Sequence, residues 1–190
     1  PRVVGGAGEH QVSCYPLPTV GRELWRLLHL DHISPRGTYP GALFEATTPQ
    51  MVESILGACL MVRREALDGP DLLDERFFIY TEEIDLCRRL ADRGWRLYWL
   101  PRAAIVHYGG ASTAQVAPRM FLELYRSKVQ YFRKHFGRRG VIGYKAVLLL
   151  AALPRLGGAL VAMALRPGER AKWRGLMSNY SALVSQLPAL

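Results

Sequence analysis

Cysteine is scarce in this 190-residue chain: Cys14, Cys59 and Cys87 are odd in number, widely spaced, and fall in no Cys-x-x-Cys or Cys/His pattern. That argues against a disulfide scaffold and a zinc site, and points to buried thiols in a reducing, cytosolic-facing compartment. No leader is read at its start either. The first residue is Pro1, and no basic segment followed by an apolar one comes after it, so the sequence reads as a piece of something longer. There is no internal repeat. Hydrophobic residues make up 49% of the chain and charged ones 22%, a balance that excludes a disordered chain and describes a globular one. Acidic residues nearly vanish from the last part: residues 118–190 hold 13 Lys and Arg against two Asp and Glu, whereas residues 1–117 hold 12 against 14. A basic partner surface therefore belongs to the C-terminal part.

Residues 1–50 are rich in Gly, Pro and Thr and read as mostly connecting structure around one helical candidate, Arg22 to Leu30. From Met51 the pattern tightens. The stretch "SILGACLMVRR" is a short apolar run suited to a buried strand, with Gly57 marking a place where another backbone or a ligand comes close. Thr81 is placed as an N-cap, Glu82 and Glu83 sit in the first turn, and Gly94 suits the position just past the end, so the sequence predicts a helix over 81–93. Ile84, Cys87, Leu90 and Ala91 form its core face, with Asp85 and Arg89 four apart on another. "WRLYWLP" and "AAIVHY" read as two short strands with His107 near the end of the second. Phe121, Leu124, Tyr125, Phe132 and Phe136 trace an amphipathic helix over 118–136.

Residues 146–165 form an apolar run of about 20 residues, long enough as a helix to cross a bilayer core. Pro154, Arg155, Gly157 and Gly158 interrupt it, and a central Arg costs about 2.5–3.5 kcal/mol. A bent segment lying in the membrane interface, flanked by basic residues that attract anionic lipid, is the favoured reading, and two core helices packed on the domain are the alternative.

The stretch "FFIYTEEIDL" sets Glu82, Glu83 and Asp85 behind Phe77, Phe78 and Tyr80. Acidic residues belong in a first helical turn for dipole reasons and usually face water. Beside aromatics, however, a carboxylate is desolvated, its pKa rises, and it becomes a better acceptor for a hydroxyl proton. His107, before a Gly-Gly loop, stands where a ligand or metal can approach, although a lone histidine is more often structural.

These stretches, "GACLMVRREAL", "LLDERFFIYTEEIDLCRRLADRGWRLYWLPRAAIVHYGGAST" and "YRSKVQYFRKHFG", in that order, resemble the C-terminal half of a family 2 glycosyltransferase of the rhamnosyltransferase-like group. The resemblance runs from about Ser54 to Gly137, and more loosely back to "GEHQVSCYPLPT". It implies an α/β fold: the C-terminal half of a GT-A, Rossmann-like domain over 1–117, followed by a helical, apolar and basic tail over 118–190. It implies a catalytic base at Glu83, with Glu82 and Asp85 left open as alternatives; the family often has Asp at the position of Glu83. It further implies acceptor contacts at Gly57, Ala58, Phe78 and Tyr80, a loop near the donor diphosphate at Gly109, Gly110, Ser112 and Thr113, and a divalent-metal ligand, for Mg²⁺ or Mn²⁺, at His107. Asp74 and Glu75 fall in the stretch leading to the base.

The partners implied are a nucleotide-sugar donor and a glycan or lipid-linked acceptor, used on the cytoplasmic, inner face of a membrane with an anionic surface. The reaction implied is metal-assisted inverting transfer in cell-envelope glycan synthesis. One departure is large: no Asp-x-Asp occurs anywhere in the chain, and the family's donor-binding half is not recognised, so the isolated piece is expected to be inactive. The competing readings are a non-catalytic membrane-associated module and a basic nucleic-acid-binding module. No nucleic-acid motif accompanies the basic residues, so nucleic acid is not an expected partner.

Overall fold

The computed structural model describes residues 1–67, 72–109 and 116–190. Helix α3 (Glu82–Asp92) is the central wedge, within one residue of the expected bounds. Its C-terminus closes as the sequence predicts: Gly94 takes φ 85°, its N–H bonds the Ala91 carbonyl at 2.9 Å, and the Trp95 N–H bonds the Leu90 carbonyl at 3.0 Å. Its N-terminus does not. Thr81 sits at the cap position with φ 71°, and its side chain makes no capping bond. Tyr80 before it is also left-handed, at φ 66°.

Two hydrophobic cores meet at this helix, with Ile84 packed against both. One is built around Cys14, Val52, Ile55, Leu86, Cys87 and Trp99. It holds the antiparallel pairs β3 (Cys14–Tyr15) with β5 (Ser54–Ile55) and β4 (Gln50–Val52) with β6 (Leu97–Trp99). Trp99 is fully buried, its Nε1–H donating to Ser13 Oγ at 3.1 Å and its ring meeting Phe44 of α2 (Gly41–Glu45) edge-on. A third small sheet has the order β2-β1-β7: β1 (Arg2–Val4) pairs antiparallel with β2 (His10–Gln11) and parallel with β7 (Ala104–Val106). The two strands expected around Pro101 are thus present as β6 and β7. Cys14 and Cys87 are buried and Cys59 half-buried, all free; burial pushes the Cys14 and Cys87 thiols up to about 11.

Residues 1–50 are mostly connections, as expected, and they also hold two- and three-residue strands whose partners are distant in sequence, which a local pattern does not reveal. Two expectations are corrected. The first helix, α1 (Val20–Leu27), starts and ends earlier than expected: the Thr19 hydroxyl caps it by accepting the Arg22 N–H, and His29 turns left-handed after it. The apolar run from Ser54 is a strand only for Ser54–Ile55, since the chain turns at Gly57 and Ala58.

The second core is helical. Helix α4 (Ala117–Leu165) bends at Gly137, where φ is 62° and ψ −157°, and packs against α1 and α5 (Arg170–Gln186). Leu27 and Phe77 share this core with Val129, Phe132, Tyr144 and Leu148, so residues on both sides of position 117 are buried together. Lys128 of α4 is buried against Glu23 of α1, its ammonium 2.8 Å from both carboxylate oxygens.

Candidate functional site

Glu83 and Asp85 leave the first turn of α3 on either side of Ile84 and enter opposite surroundings. Asp85 is 0% exposed and meets three hydrogen-bonding side chains, two of them cationic: His135 Nε2 at 2.7 Å, Lys134 Nζ at 2.7 Å and Arg89 Nε at 2.9 Å. Lys134 also reaches Asp74 Oδ2 at 2.7 Å, and Asp74 is chelated by Arg76. Burial by itself would raise the Asp85 carboxyl, but hydrogen bonds from His135, Lys134 and Arg89 outweigh it and hold the group below its ordinary range. The Arg76 and Lys134 partners likewise hold Asp74 well below the usual carboxylate range. This network clamps the first turn of α3 onto α4 and the 74–76 turn. Asp85 is fully spoken for and offers no free lone pair to a substrate.

Glu83 has no such partner. Burial pushes its carboxyl up, with the neighbouring Glu82 charge adding to the rise, while backbone N–H groups of Glu83, Ile84 and Gly57 oppose it. A Cβ added at Gly57 would stand 3.5 Å from Glu83 Cβ and 3.9 Å from its carboxyl carbon, so the glycine turn lies directly against this side chain. The neighbour of Gly57 is thus the Glu83 side chain at ordinary contact distance, not the backbone or ligand that the sequence suggested. Lys128 interacts electrostatically with Glu83 but already bonds both oxygens of Glu23. Tyr15 and Cys87 also experience the Glu83 charge.

The expected aromatic wall is distributed differently. Phe77 is buried in the helical core with Lys134 over its ring, and Phe78 is 69% exposed under Arg119. The desolvation of Glu83 comes from its own position between the Gly57 turn and α3. Tyr80 contributes through its backbone: Tyr80 and Thr81 are consecutive left-handed residues, a costly conformation for a β-branched threonine. Thr81 Oγ1 and Glu82 Oε2 are buried without a hydrogen-bond partner, and Thr81 is 2% exposed. Strain and unsatisfied polar atoms thus concentrate in the residues just before Glu83. Ala58 is half-buried beside Gly57.

His107 lies directly after β7, its N–H bonded to the Val4 carbonyl at 2.8 Å. Gln11 clasps it twice: Nε2–H donates to the His107 carbonyl at 3.1 Å, and Oε1 lies 3.1 Å from Nδ1. With the amide oriented by the first bond, Oε1 faces Nδ1 and accepts from it, which turns Nε2 away from the Gln11 clasp. Gly109 packs over the same ring, a Cβ there meeting His107 Cε1 at 3.3 Å. Gly110, Ser112 and Thr113 lie outside the described residues. Among the described residues no three His, Cys, Asp or Glu side chains gather as a metal site. Of the expected metal site, His107 is thus a single side chain without a surrounding group of ligands among the described residues.

Gln11 is a partner of His107 that sequence reasoning missed. A lone Gln carries no signal, and its role appears only once β1 pairs with both β2 and β7.

Residues 43–125 match the family model described as glycosyltransferase like family 2. The resemblance of this segment to family 2 glycosyltransferases is shown. The matched segment contains Gly57, Glu82, Glu83, Asp85, His107 and the start of α4, whereas Gln11, Tyr15, Lys134, the rest of α4 and α5 lie outside it. Two N-acetylglucosaminyl-diphospho-decaprenol L-rhamnosyltransferases of Mycobacterium tuberculosis, from strains CDC 1551 and H37Rv, are each 41% identical over 59 residues. That is 31% of this chain and 19% of each relative. Rhamnosyltransferase WbbL of Escherichia coli K12 is 27% identical over 84 residues, 44% of this chain and 32% of that protein. The alignments thus span less than a third of these curated relatives. No solved structure matches the chain.

Proposed function

We propose that this chain forms the acceptor side of a glycosyltransferase in which Glu83 is the general base. The observation that carries the reading is the contrast within one helical turn: a desolvated carboxylate without a cationic partner beside a glycine turn, held by a second carboxylate that is fully ion-paired. The family 2 match over 43–125 and the rhamnosyltransferase relatives support glycosyl transfer as the chemistry.

In this reading an acceptor hydroxyl lies against Gly57 and Ala58 and gives its proton to the Glu83 carboxylate as its oxygen bonds to the anomeric carbon. The bond from that carbon to the donor's diphosphate breaks, the electron pair leaves with the diphosphate, and configuration inverts. Burial suits Glu83 to this work because it raises proton affinity where the proton must be taken. Asp85 positions the helix and takes no proton. A divalent cation, Mg²⁺ or Mn²⁺, bound through His107 Nε2 would supply positive charge at the leaving diphosphate. The donor is a nucleotide sugar. The acceptor is a glycan or lipid-linked saccharide at the cytoplasmic face of a membrane, in cell-envelope glycan synthesis.

The test is transfer from a nucleotide-sugar donor by the protein expressed from its full reading frame. Glu83→Gln should lower kcat by about 10²- to 10⁴-fold, the ordinary contribution of a general base, with the fold intact by circular dichroism. Transfer surviving at the wild-type rate would remove Glu83 from this role.

A further inference from the structure

Helix α4 beyond its Gly137 bend has two faces of the same apolar character and different fates. Tyr144, Val147, Leu148, Ala151, Ala152 and Ala159 are buried against the protein. Leu149, Leu150, Leu153, Leu160, Val161 and Leu165 are exposed, and their spacing places them along one side of the helix over about 24 Å. Such a continuous apolar stripe is rare on a free surface and marks an interaction site.

Its surroundings say what covers it. Arg138 and Arg139 stand exposed at one end, and Arg166, Arg170 and Arg174 at the other. Residues 118–190 carry 13 basic and two acidic side chains, so a second copy of this surface would be repelled and an anionic one attracted. At the far end α4 and α5 border an open cleft of about 610 Å³ lined by Met163, Met177, Arg170, Arg174, Ser178 and Ser181.

Among the described residues α4 is the one helix long and apolar enough to cross a membrane. The packing opposes a crossing. Arg155, in the middle of the apolar run, donates to the carbonyls of Ala151 and Leu27 and lies over the Tyr180 ring, tying this limb to α1 and α5. One face is committed to protein and the other is free, which is the arrangement of a helix lying in the plane of a bilayer surface.

We propose that the second limb of α4 and the start of α5 form an in-plane anchor that seats the protein on an anionic bilayer. The leucine stripe enters the acyl boundary, and the arginines at its two ends bind lipid phosphates, with one headgroup phosphate in the Arg170–Arg174 cleft. This surface stands independently of the reaction assigned to Glu83.

The test is co-sedimentation of the whole chain with vesicles of phosphatidylcholine alone or mixed with phosphatidylglycerol. Binding to the mixed vesicles is expected to be at least about tenfold tighter, and to weaken in about 0.5 M salt. Leu149→Asp with Leu153→Asp should abolish it, and Arg170→Glu with Arg174→Glu should weaken it by about tenfold or more, each variant checked for a wild-type thermal transition. Alkaline carbonate should release the bound protein. Equal binding to both vesicle types, resistance to carbonate, leucine variants that bind as wild type, or a lipid-free dimer broken by Leu153→Asp would each overturn the proposal.

Discussion

Glu83 and Asp85 are two residues apart in one turn of α3, carry the same functional group, and are driven in opposite directions. At the Asp85 side two cations and a histidine converge and the carboxyl is held low; at the Glu83 side burial beside a glycine turn, without a cation, pushes it up. Burial acts on both. The difference lies in what α4 presents: Lys134 and His135 face Asp85, whereas Lys128, the α4 cation that interacts with Glu83, is consumed by Glu23. The lesson is that a run of acidic residues at a helix start cannot be read as one site, since the neighbouring helix decides which member is structural.

The largest effect is expected at Asp85. Asp85→Ala removes the acceptor shared by Lys134, His135 and Arg89, leaving His135 without its carboxylate and Lys134 with Asp74 alone, and should cost about 3–5 kcal/mol, read from the denaturation midpoint. Lys134→Met leaves Asp85 with Arg89 and His135 and should cost about 1–3 kcal/mol. A loss at Asp85 no larger than at an exposed carboxylate would erase the distinction between the two sides.

The pH dependence of stability follows from the same contrast. Asp85 and Asp74 have carboxyls lowered in the folded state, so their contribution is present above the ordinary carboxylate range of about 4 and disappears as pH falls through the folded values. Glu83 is raised, so its contribution is greatest when protonated and is lost as pH rises through its folded value. Chemical denaturation across acidic pH should show Asp85→Asn flattening the low-pH loss, with Glu83→Gln altering the curve only above it.

The smallest effects on stability are expected on the Glu83 side. Glu83→Gln removes a buried charge without a cationic partner and should leave stability unchanged or raise it by up to about 1 kcal/mol. Gly57→Ala places a methyl at ordinary contact distance from Glu83 and should change stability by about 0.5 kcal/mol or less, while raising the Glu83 pKa further by excluding water. Destabilisation by Glu83→Gln as large as that of Asp85→Ala would mean that both carboxylates are structural.

Much of this region is legible in the sequence because its signals are local. The bounds of α3, its closing turn at Gly94 and the two strands around Pro101 follow from residues within a few positions of each other. Gly57 stood out in the sequence, but its neighbour, the Glu83 side chain at ordinary contact distance, did not. What stayed hidden depends on distant pairs: the strands in the first fifty residues, the clasp of Gln11 on His107, and the choice of Asp85 over Glu83 as the ion-paired member. The apolar run near the C-terminus is intermediate, since composition marks it as unusual and only packing separates its protein-facing side from its free one.

The most direct measurement is a carboxyl-carbon NMR titration of Glu83 and Asp85 in the isotopically labelled chain. Glu83 is expected to titrate above the ordinary glutamate value of about 4.3, and Asp85 below the ordinary aspartate value of about 3.9. Both groups titrating at their ordinary values, or Asp85 as the raised member, would contradict the assignment of one carboxylate to chemistry and the other to structure.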